Sequence, residues 1–312
     1  RTGIFDNDGS EIWNDKGDSF LMTNIDNYGQ ILGFIGHKPI VYDLNNSKIW
    51  DGGGINMNYH DVIQLPNGNF IGFTPVWKWG DVPDGWEELF PFEQIHWMGT
   101  RIVEWDKDGN EIWSWNPFED YGFDLDDFDE YYFNEAGKTI CLQDPFEWTH
   151  FNALAYDKTD STIFVSSKNM SRITKIKHDQ SKSIVWYIGH DLSFWDERDE
   201  KLITPDILFY GQHGLQILAD GNIVTFDNGI IGAKSRAIEI EITKDDLGKN
   251  VANTIWSYEL SGNLFGQLSG NVQKLVNNNY LITTIGVQNS GGSNSLEVTP
   301  SGRIVWHCQY KV

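Results

Sequence analysis

Short segments in which apolar and polar residues alternate run along most of the chain, and tight turns separate them. In the clearest unit, which starts at His60, HDVIQL and NFIGFTPV flank an Asn-Gly turn, and TRIVEWD and EIWSWNP flank an Asp-Gly turn. Alternation with a period of two predicts half-buried strands, and Asx-Gly turns predict hairpins. The unit therefore predicts four antiparallel strands, which we call a, b, c and d. The sequence contains no long helical pattern.

The same unit recurs along the chain. A short turn followed by an apolar residue and a tryptophan occurs six times, at Trp13, Trp50, Trp113, Trp186, Trp256 and Trp306. Hairpins of the a–b type begin near Phe20, His60, His150, His213 and Gly270. Such repeats predict an all-β fold, a β-propeller of four-stranded antiparallel blades in one domain over residues 1–312. An additional hairpin from Gly3 to Trp13 leaves two blade counts: six blades, which we favour, or five blades plus an N-terminal hairpin.

Three connections are much longer than the others and lie near residues 77–97, 118–149 and 190–210. In an up-and-down blade, the b–c and d–a connections share one face with the start of strand a, and we call this face the top. All three long connections are top connections by this geometry, and they are rich in aromatic and acidic residues. Tight turns on one face and long loops on the other are typical of a binding site on a rigid scaffold.

Three histidines occupy the same slot of the repeat, because His60, His150 and His213 each begin a strand a. Equivalent residues of a repeat lie at equivalent points, so the three imidazoles should converge at the top face. Convergent histidines predict either catalysis or a metal site. Three histidines can bind zinc, but a further ligand is hard to assign. We therefore favour metal-free acid–base or nucleophilic chemistry.

A cation and several neutral residues accompany the histidines. Lys168 ends strand b of the His150 unit, which returns it to the top face, where it would hold an anionic group. Two asparagines near the same histidine would supply neutral hydrogen-bond donors. The predicted substrate-binding residues are Asn152, Asn169, Trp148 and Tyr59.

Composition narrows the possible partners. The 312 residues carry a formal net charge of −22, which argues against nucleic acid because phosphate binding needs a cationic face. The 14 Trp, 12 Tyr and 18 Phe residues suit a pocket for an aryl or sugar ring. No apolar run approaches the roughly 18 residues that a membrane helix needs. The start at Arg1 without a hydrophobic leader suggests a removed signal peptide and export, and Cys141 and Cys308 allow either one long-range disulfide or two free thiols.

Several segments resemble a known family, the bacterial arylsulfotransferases, from roughly residue 40 to residue 306: YHDVIQLPNGN, EWTHFNALAYDKTDSTIFVSSKNMSRITKI, IVWYIG, GQHGLQILADGNIVTFDNG, SGNVQKLVNNNYLITTIG and NSLEVTPSGRIVW. The resemblance implies a six-bladed propeller in the periplasm or outside the cell. It also implies transfer of a sulfuryl group between phenols through a sulfated histidine, without a nucleotide donor. By position, the family's nucleophile falls on His213 and its two other histidines fall on His60 and His150. Lys168 stands where the family has an arginine.

The implied reaction requires no cofactor and no metal. Neutral His213 would attack the sulfur of an aryl sulfate, while His150 and Lys168 would hold the oxygens of the transferred group. His60 would exchange the proton with the leaving and accepting phenols. The expected partners are therefore small aryl sulfates and phenols. A rival interpretation is a non-catalytic propeller that binds a carbohydrate or a protein through its aromatic top face, and the sequence does not specify the oligomeric state.

Overall fold

The computed structural model describes residues 2–6, 8–26, 29–82, 93–120, 146–189, 201–229, 232, 234–260, 262–285 and 293–310. Most regular structure in these residues is antiparallel β-sheet. The helical elements within the same ranges are one α-helix, α1 (Pro117–Asp120), and one 3-10 turn, Gly262–Leu264. No helix in this part of the chain is long and apolar enough to cross a membrane.

The first strands form a hairpin and two blades. The hairpin consists of β1 (Gly3–Phe5) and β2 (Glu11–Asn14). Strands a to d of blade 1 are β3 (Phe20–Ile25), β4 (Ile31–Ile35), β5 (Lys38–Tyr42) and β6 (Lys48–Asp51). Those of blade 2 are β7 (Asn58–Gln64), β8 (Phe70–Asp81), β9 (Gln94–Trp105) and β10 (Glu111–Trp115). A short strand from the second long connection, β11 (Phe146–Glu147), pairs in parallel with β9.

Three further blades follow. Blade 3 contains β12 (Phe151–Asp157), β13 (Thr162–Ser167), β14 (Arg172–Lys177) and β15 (Ile184–Gly189). A short parallel strand, β16 (Leu202–Ile203), extends it. Blade 4 contains β17 (His213–Ile217), β18 (Ile223–Asp227), β19 (Ser235–Lys244) and β20 (Asn250–Leu260). Blade 5 contains β21 (Ser269–Lys274), β22 (Tyr280–Ile285), β23 (Ser293–Val298) and β24 (Ile304–Tyr310).

The predicted all-β propeller with four-stranded antiparallel blades is confirmed, and each predicted a–b hairpin is present. The six-blade count is not confirmed, because the described strands form five blades and a separate hairpin. Parts of the long connections contribute β11 and β16, whereas residues 83–92, 121–145 and 190–200 lie outside the described residues. Cys308 is half-buried on β24 and Cys141 lies outside that part of the chain, so their pairing stays a prediction.

The repeated tryptophan marks a bulge in the last strand of the hairpin and of every blade. In each case the Trp pairs with the neighbouring strand, and the apolar residue before it is an extra residue in the ladder. The bulged residues are all exposed: Ile12, Ile49, Ile112, Val185, Ile255 and Val305. A bulge turns successive side chains away from strict alternation, so the Trp packs inward while the preceding residue faces solvent.

Two of these tryptophans also join neighbouring blades. The indole N–H of Trp50 on blade 1 donates to the carbonyl of Lys107 in the c–d turn of blade 2 (3.1 Å), and its ring stacks on Phe70. Trp256 on blade 4 does the same to Pro300 of blade 5 (3.1 Å) and stacks on Tyr280. At these two positions the motif therefore joins one blade to the next.

Contacts divide the chain into two compact units. Unit 1 comprises residues 1–77 and 99–120, and unit 2 comprises residues 78–98 and 121–312. One core of unit 1 lies between blades 1 and 2 and includes Leu32, Phe34, Val62 and Val103, and another lies between the N-terminal hairpin and blade 1. Among the described residues of unit 2, one core lies between blades 3 and 4 and another between blades 4 and 5. Apolar faces of adjacent sheets thus hold each unit together.

A buried carboxylate on strand c ties blade 4 to blade 5. Glu239 is 1 % exposed and accepts hydrogen bonds from Lys274 Nζ (2.8 Å), the Tyr280 hydroxyl (2.5 Å) and Asn222 Nδ2 (3.0 Å). Burial acts to raise the pKa of Glu239, but these hydrogen bonds outweigh it and hold the pKa below its usual value. The carboxylate therefore stays ionised and links the two blades.

Candidate functional site

Each of the three predicted histidines lies at an irregularity of its a–b ladder. His60 falls between the paired residues Asn58 and Val62 of β7. His150 immediately precedes β12, where Asn152 is bulged, and His213 immediately precedes the bulged Gly214 of β17. Bulges redirect side chains and are frequent beside active sites. The three histidines therefore share a sequence slot but not a common strand register.

The fifth blade has a glycine in this slot for a packing reason. The β21–β22 ladder is regular, with Gly270 opposite Thr284. A Cβ atom at Gly270 would lie 2.3 Å from the ring of Phe226, which is the residue paired with His213. The glycine leaves room for the ring that supports the His213 strand.

His213 is held as one defined tautomer. Its side chain is 6 % exposed, and Nδ1 lies 3.0 Å from the Gly211 carbonyl oxygen and 2.7 Å from Asn228 Oδ1. Asn228 Nδ2 donates to the Gly266 carbonyl (2.6 Å), which turns Oδ1 towards the imidazole. Both neighbours of Nδ1 are acceptors, so Nδ1 carries the proton. In the neutral ring, Nε2 then carries the lone pair, and none of the described residues hydrogen-bonds to it.

The surroundings of His213 also keep it neutral. The pKa of His213 is lowered from 6.5 to about 4, chiefly by burial, and the proximity of Lys168 and His150 acts in the same direction against the raising effect of Asn228. An imidazole with a pKa near 4 is unprotonated at neutral pH. His213 therefore presents an unprotonated nitrogen in a cationic environment, a combination suited to attack on an anionic substrate.

Gln212 anchors the His213 segment to blade 3. Its fully buried side chain lies with Nε2 at 2.9 Å from Ser166 Oγ and 3.0 Å from the carbonyl oxygens of both Ser167 and Arg172. In return, Asn152 Nδ2 donates to the backbone carbonyl of Gln212 (2.8 Å). Asn152, predicted to contact substrate, thus uses its amide N–H group to fix the backbone beside His213.

A buried ion pair anchors the residues on the other side of the site. The Asp227 carboxylate accepts hydrogen bonds from the backbone N–H groups of Tyr210 (2.9 Å) and Gly229 (2.8 Å), and from Arg236 Nε (2.9 Å). Asp227 is fully buried and directly precedes Asn228. These contacts fix the backbone on which Asn228 reaches His213.

His150 forms a pair with Glu147. The imidazole Nδ1 lies 2.6 Å from Glu147 Oε2, and the His150 backbone has a φ of 43°, in the left-handed region that non-glycine residues rarely adopt. The backbone N–H of Lys168 donates to the His150 carbonyl (3.1 Å), and Asn169 Nδ2 donates to the Glu147 carbonyl (2.7 Å). The end of strand b therefore holds both members of the pair in place.

The extended tips of β8 and β9 support this pair from the other direction. Residues 78–81 and 94–98 prolong the two strands into the first long connection, and β11 pairs with β9 there. The register places Glu147 opposite Met98, and the backbone N–H of Trp148 donates to the Met98 carbonyl (3.0 Å). The predicted substrate-binding residue Trp148 is fully buried at this junction.

Unit 2 therefore brings together His150, Lys168 and His213, with Asn152 and Asn169 in the supporting framework. His60 and the backbone of Tyr59 lie on β7 in unit 1, so their place in the site stays a prediction from the repeat. Within the described ranges, no group of three or more His, Cys, Asp and Glu side chains is arranged to hold a metal ion. Sequence reasoning missed the supporting residues Glu147, Gln212 and Asn228.

Comparison with known proteins identifies one family. A family model described as Arylsulfotransferase (ASST) matches residues 1–305. No curated protein matches the chain. Among solved structures, the Cps50 (Swd1) β-propeller domain of Myceliophteria thermophila is similar at 11% identity and a TM-score of 0.46, covering 96% of this chain and 86% of that one. Hydrazine synthase of Kuenenia stuttgartiensis is similar at 9% identity and a TM-score of 0.45, covering 88% and 62% respectively.

Proposed function

The chain belongs to the arylsulfotransferase (ASST) family, and we propose that it transfers a sulfuryl group from a phenolic sulfate ester to a second phenol through a covalent adduct on His213. The proposal includes no nucleotide donor. The observation that carries it is the state of His213, whose Nδ1–H is held by Gly211 and Asn228 while Nε2 keeps its lone pair.

In the first half-reaction, Nε2 of His213 forms a bond to sulfur as the bond from sulfur to the phenolic oxygen breaks. The phenolate leaves with the electron pair and takes up a proton. The adduct is an imidazolium that bears an SO₃⁻ group, and its remaining N–H still donates to Asn228. Because the incoming donor and the adduct both carry negative oxygens, nearby cations stabilise the transfer.

Lys168 and His150 are proposed to supply this stabilisation. Both are near enough to His213 to contribute to the lowering of its pKa. Glu147 fixes His150 through Nδ1, which leaves Nε2 as the nitrogen directed to other partners. Lysine at position 168 provides a point charge rather than the two-pronged guanidinium of the family pattern.

In the second half-reaction, an acceptor phenol loses its proton, and its oxygen attacks the sulfur and returns His213 to the neutral state. The two half-reactions together consume no proton. With water as acceptor, the same adduct would give sulfate, so the enzyme would act as a sulfohydrolase. The identity of the proton carrier is not fixed by unit 2, and the assignment of His60 to this task stays a prediction.

Intact-mass measurement tests the proposal. After incubation with 4-nitrophenyl sulfate and rapid acid-free denaturation, the protein should gain one SO₃ group and release one equivalent of 4-nitrophenol. His213→Ala should abolish both, whereas the control His178→Ala should retain both. Phenol release without an adduct would contradict the covalent route, and neither adduct nor release with any aryl sulfate would favour a binding protein.

A further inference from the structure

The tips of β8 and β9 carry an aromatic pair that the transfer chemistry does not use. The rings of Trp79 and His96 stack with centroids 4.8 Å apart and planes 16° apart. The two residues face each other across the hairpin, whose register is set by the hydrogen bond from Val82 N to Glu93 O (3.3 Å). Trp79 remains 63 % exposed despite this contact. We call the paired tips of β8 and β9, residues 78–81 and 94–98, the arm. The arm thus presents a flat indole face to solvent.

The opposite face of the same arm is buried. Trp97, the neighbour of His96, is fully buried, and its indole N–H donates to the Asp81 carbonyl (3.2 Å). Gly80 lies on this face too, since a Cβ atom there would lie 3.0 Å from the Trp97 ring. The arm therefore packs through Trp97, and its folding does not require the exposed Trp79. The stacked rings of Trp79 and His96 form one continuous aromatic surface, and exposed surfaces of this kind mark ligand-binding sites.

The strand register places this exposed pair beside the His150–Glu147 pair. Met98 lies two residues after His96 on β9, so both side chains are on one face of the sheet. Met98 pairs with Glu147 on β11, and paired residues share a face. The offset from His96 to Glu147 is therefore about 7 Å along the strand and about 5 Å across it. Glu147 in turn contacts His150. The distance from the Trp79–His96 pair to the site is therefore within the length of a small aryl sulfate.

We propose that Trp79 and His96 form a stacking platform for the aromatic ring of the donor and acceptor phenols. The inference rests on the proposed transfer reaction and adds to it a ring subsite. The ligand class is a planar phenyl or fused aryl group whose sulfate or hydroxyl points towards His150. An aliphatic sulfate would lack the stacking surface and would not use the platform.

Steady-state kinetics with 4-nitrophenyl sulfate and with hexyl sulfate provide the first test. Trp79→Ala should raise KM for the aryl ester roughly tenfold with kcat changed less than about twofold, and Trp79→Phe should restore most of the loss. The exposed-residue control Leu247→Ala should behave as the unchanged protein. An unchanged KM in Trp79→Ala would overturn the platform, as would an equal loss for the two esters.

Equilibrium dialysis of 4-nitrophenyl sulfate in a His213→Ala background separates this inference from the reaction. If Trp79→Ala weakens binding there by a similar factor, the platform stands, even where the intact protein forms no sulfated adduct. If the adduct forms but Trp79→Ala leaves binding unchanged, the transfer reaction stands and the platform is overturned.

Discussion

Asn228 accepts the Nδ1–H of His213 at 2.7 Å with a neutral amide oxygen rather than a carboxylate. A carboxylate at this place would stabilise the imidazolium and raise the pKa of the histidine. The amide fixes the ring with a much smaller effect on its basicity. His213 can therefore be oriented by a strong hydrogen bond and still have a pKa of about 4.

Asn228→Asp should therefore raise the pKa of His213. Only the neutral imidazole attacks, so kcat/KM should decrease at pH values below the pKa of His213. The acid limb of the kcat/KM profile should therefore move from near pH 4 towards neutral pH. The profile of kcat/KM against pH measures this change. Asn228→Ala should instead lower kcat about 10- to 100-fold, because Asn228 would no longer hold the imidazole proton of His213 at Nδ1. An unmoved acid limb in the aspartate variant would show that this contact does not tune the nucleophile.

The buried His213 should make stability depend on pH. Its folded pKa of about 4 lies below its ordinary value of 6.5, so between these values the unfolded state binds a proton that the folded state does not. The free energy of unfolding should therefore decrease as pH falls through this window, by about 2 kcal/mol between pH 7 and pH 5. His213→Gln should lack this part of the loss, which urea unfolding of both proteins at the two pH values will show. Equal pH dependence in the two proteins would contradict a depressed pKa.

Removing the charge of Lys168 should affect both the value of kcat/KM and the acid limb of its pH profile. Lys168→Met should lower kcat/KM about 100-fold, since a cation no longer stabilises the transferred group. It should also raise the pKa of His213, because the Lys168 charge contributes to lowering it. Lys168→Arg keeps the charge and should retain or increase activity. Complete loss in the arginine variant would indicate a role specific to the lysine ammonium.

Glu239 should be a main stabilising residue of blades 4 and 5. Glu239→Gln removes the negative charge that pairs with the ammonium group of Lys274, which is largely buried. The substitution should reduce the free energy of unfolding by about 3 kcal/mol. Glu297→Gln is the matched control, because Glu297 caps the corresponding turn through Asn277 and Asn279 without a cation. The pKa of Glu239 is lowered, so its contribution should be present above its ordinary pKa and lost as pH falls below it. Similar urea midpoints for the two variants would argue against the ion pair.

The sequence predicted the strands well because each blade repeats the same local signals. The a strands at Phe20, His60, His150, His213 and Gly270 and the tryptophans of strand d all lie where alternation and Asx-Gly turns placed them. Bulges were not predicted, since an extra residue such as Ile255 looks like one more strand residue in the sequence. The extra strands β11 and β16 were also missed, because parallel pairing of two residues leaves no local pattern.

The repeat likewise predicted that His150, His213 and Lys168 lie near one another, but it did not predict the residues that support them. Glu147 acts through a strand pair with residues about fifty positions away, and such long-range pairing has no signal in a single sequence. Asn228 did have a usable signal: it follows the end of strand b, as Asn169 does in the preceding blade. Gln212 is adjacent to His213, yet a buried glutamine there is visible only from its contacts with blade 3.

The bulge in the last strand of the hairpin and of each blade affects whether two molecules of the protein can pair through their strands. A straight strand from another molecule cannot align its hydrogen bonds with a ladder that contains one residue too many. The six exposed isoleucine and valine side chains at these bulges therefore lie on irregular margins that resist fibril growth. An enzyme assembled from so many β-strands can in this way limit strand pairing between molecules at the outer edges of its blades.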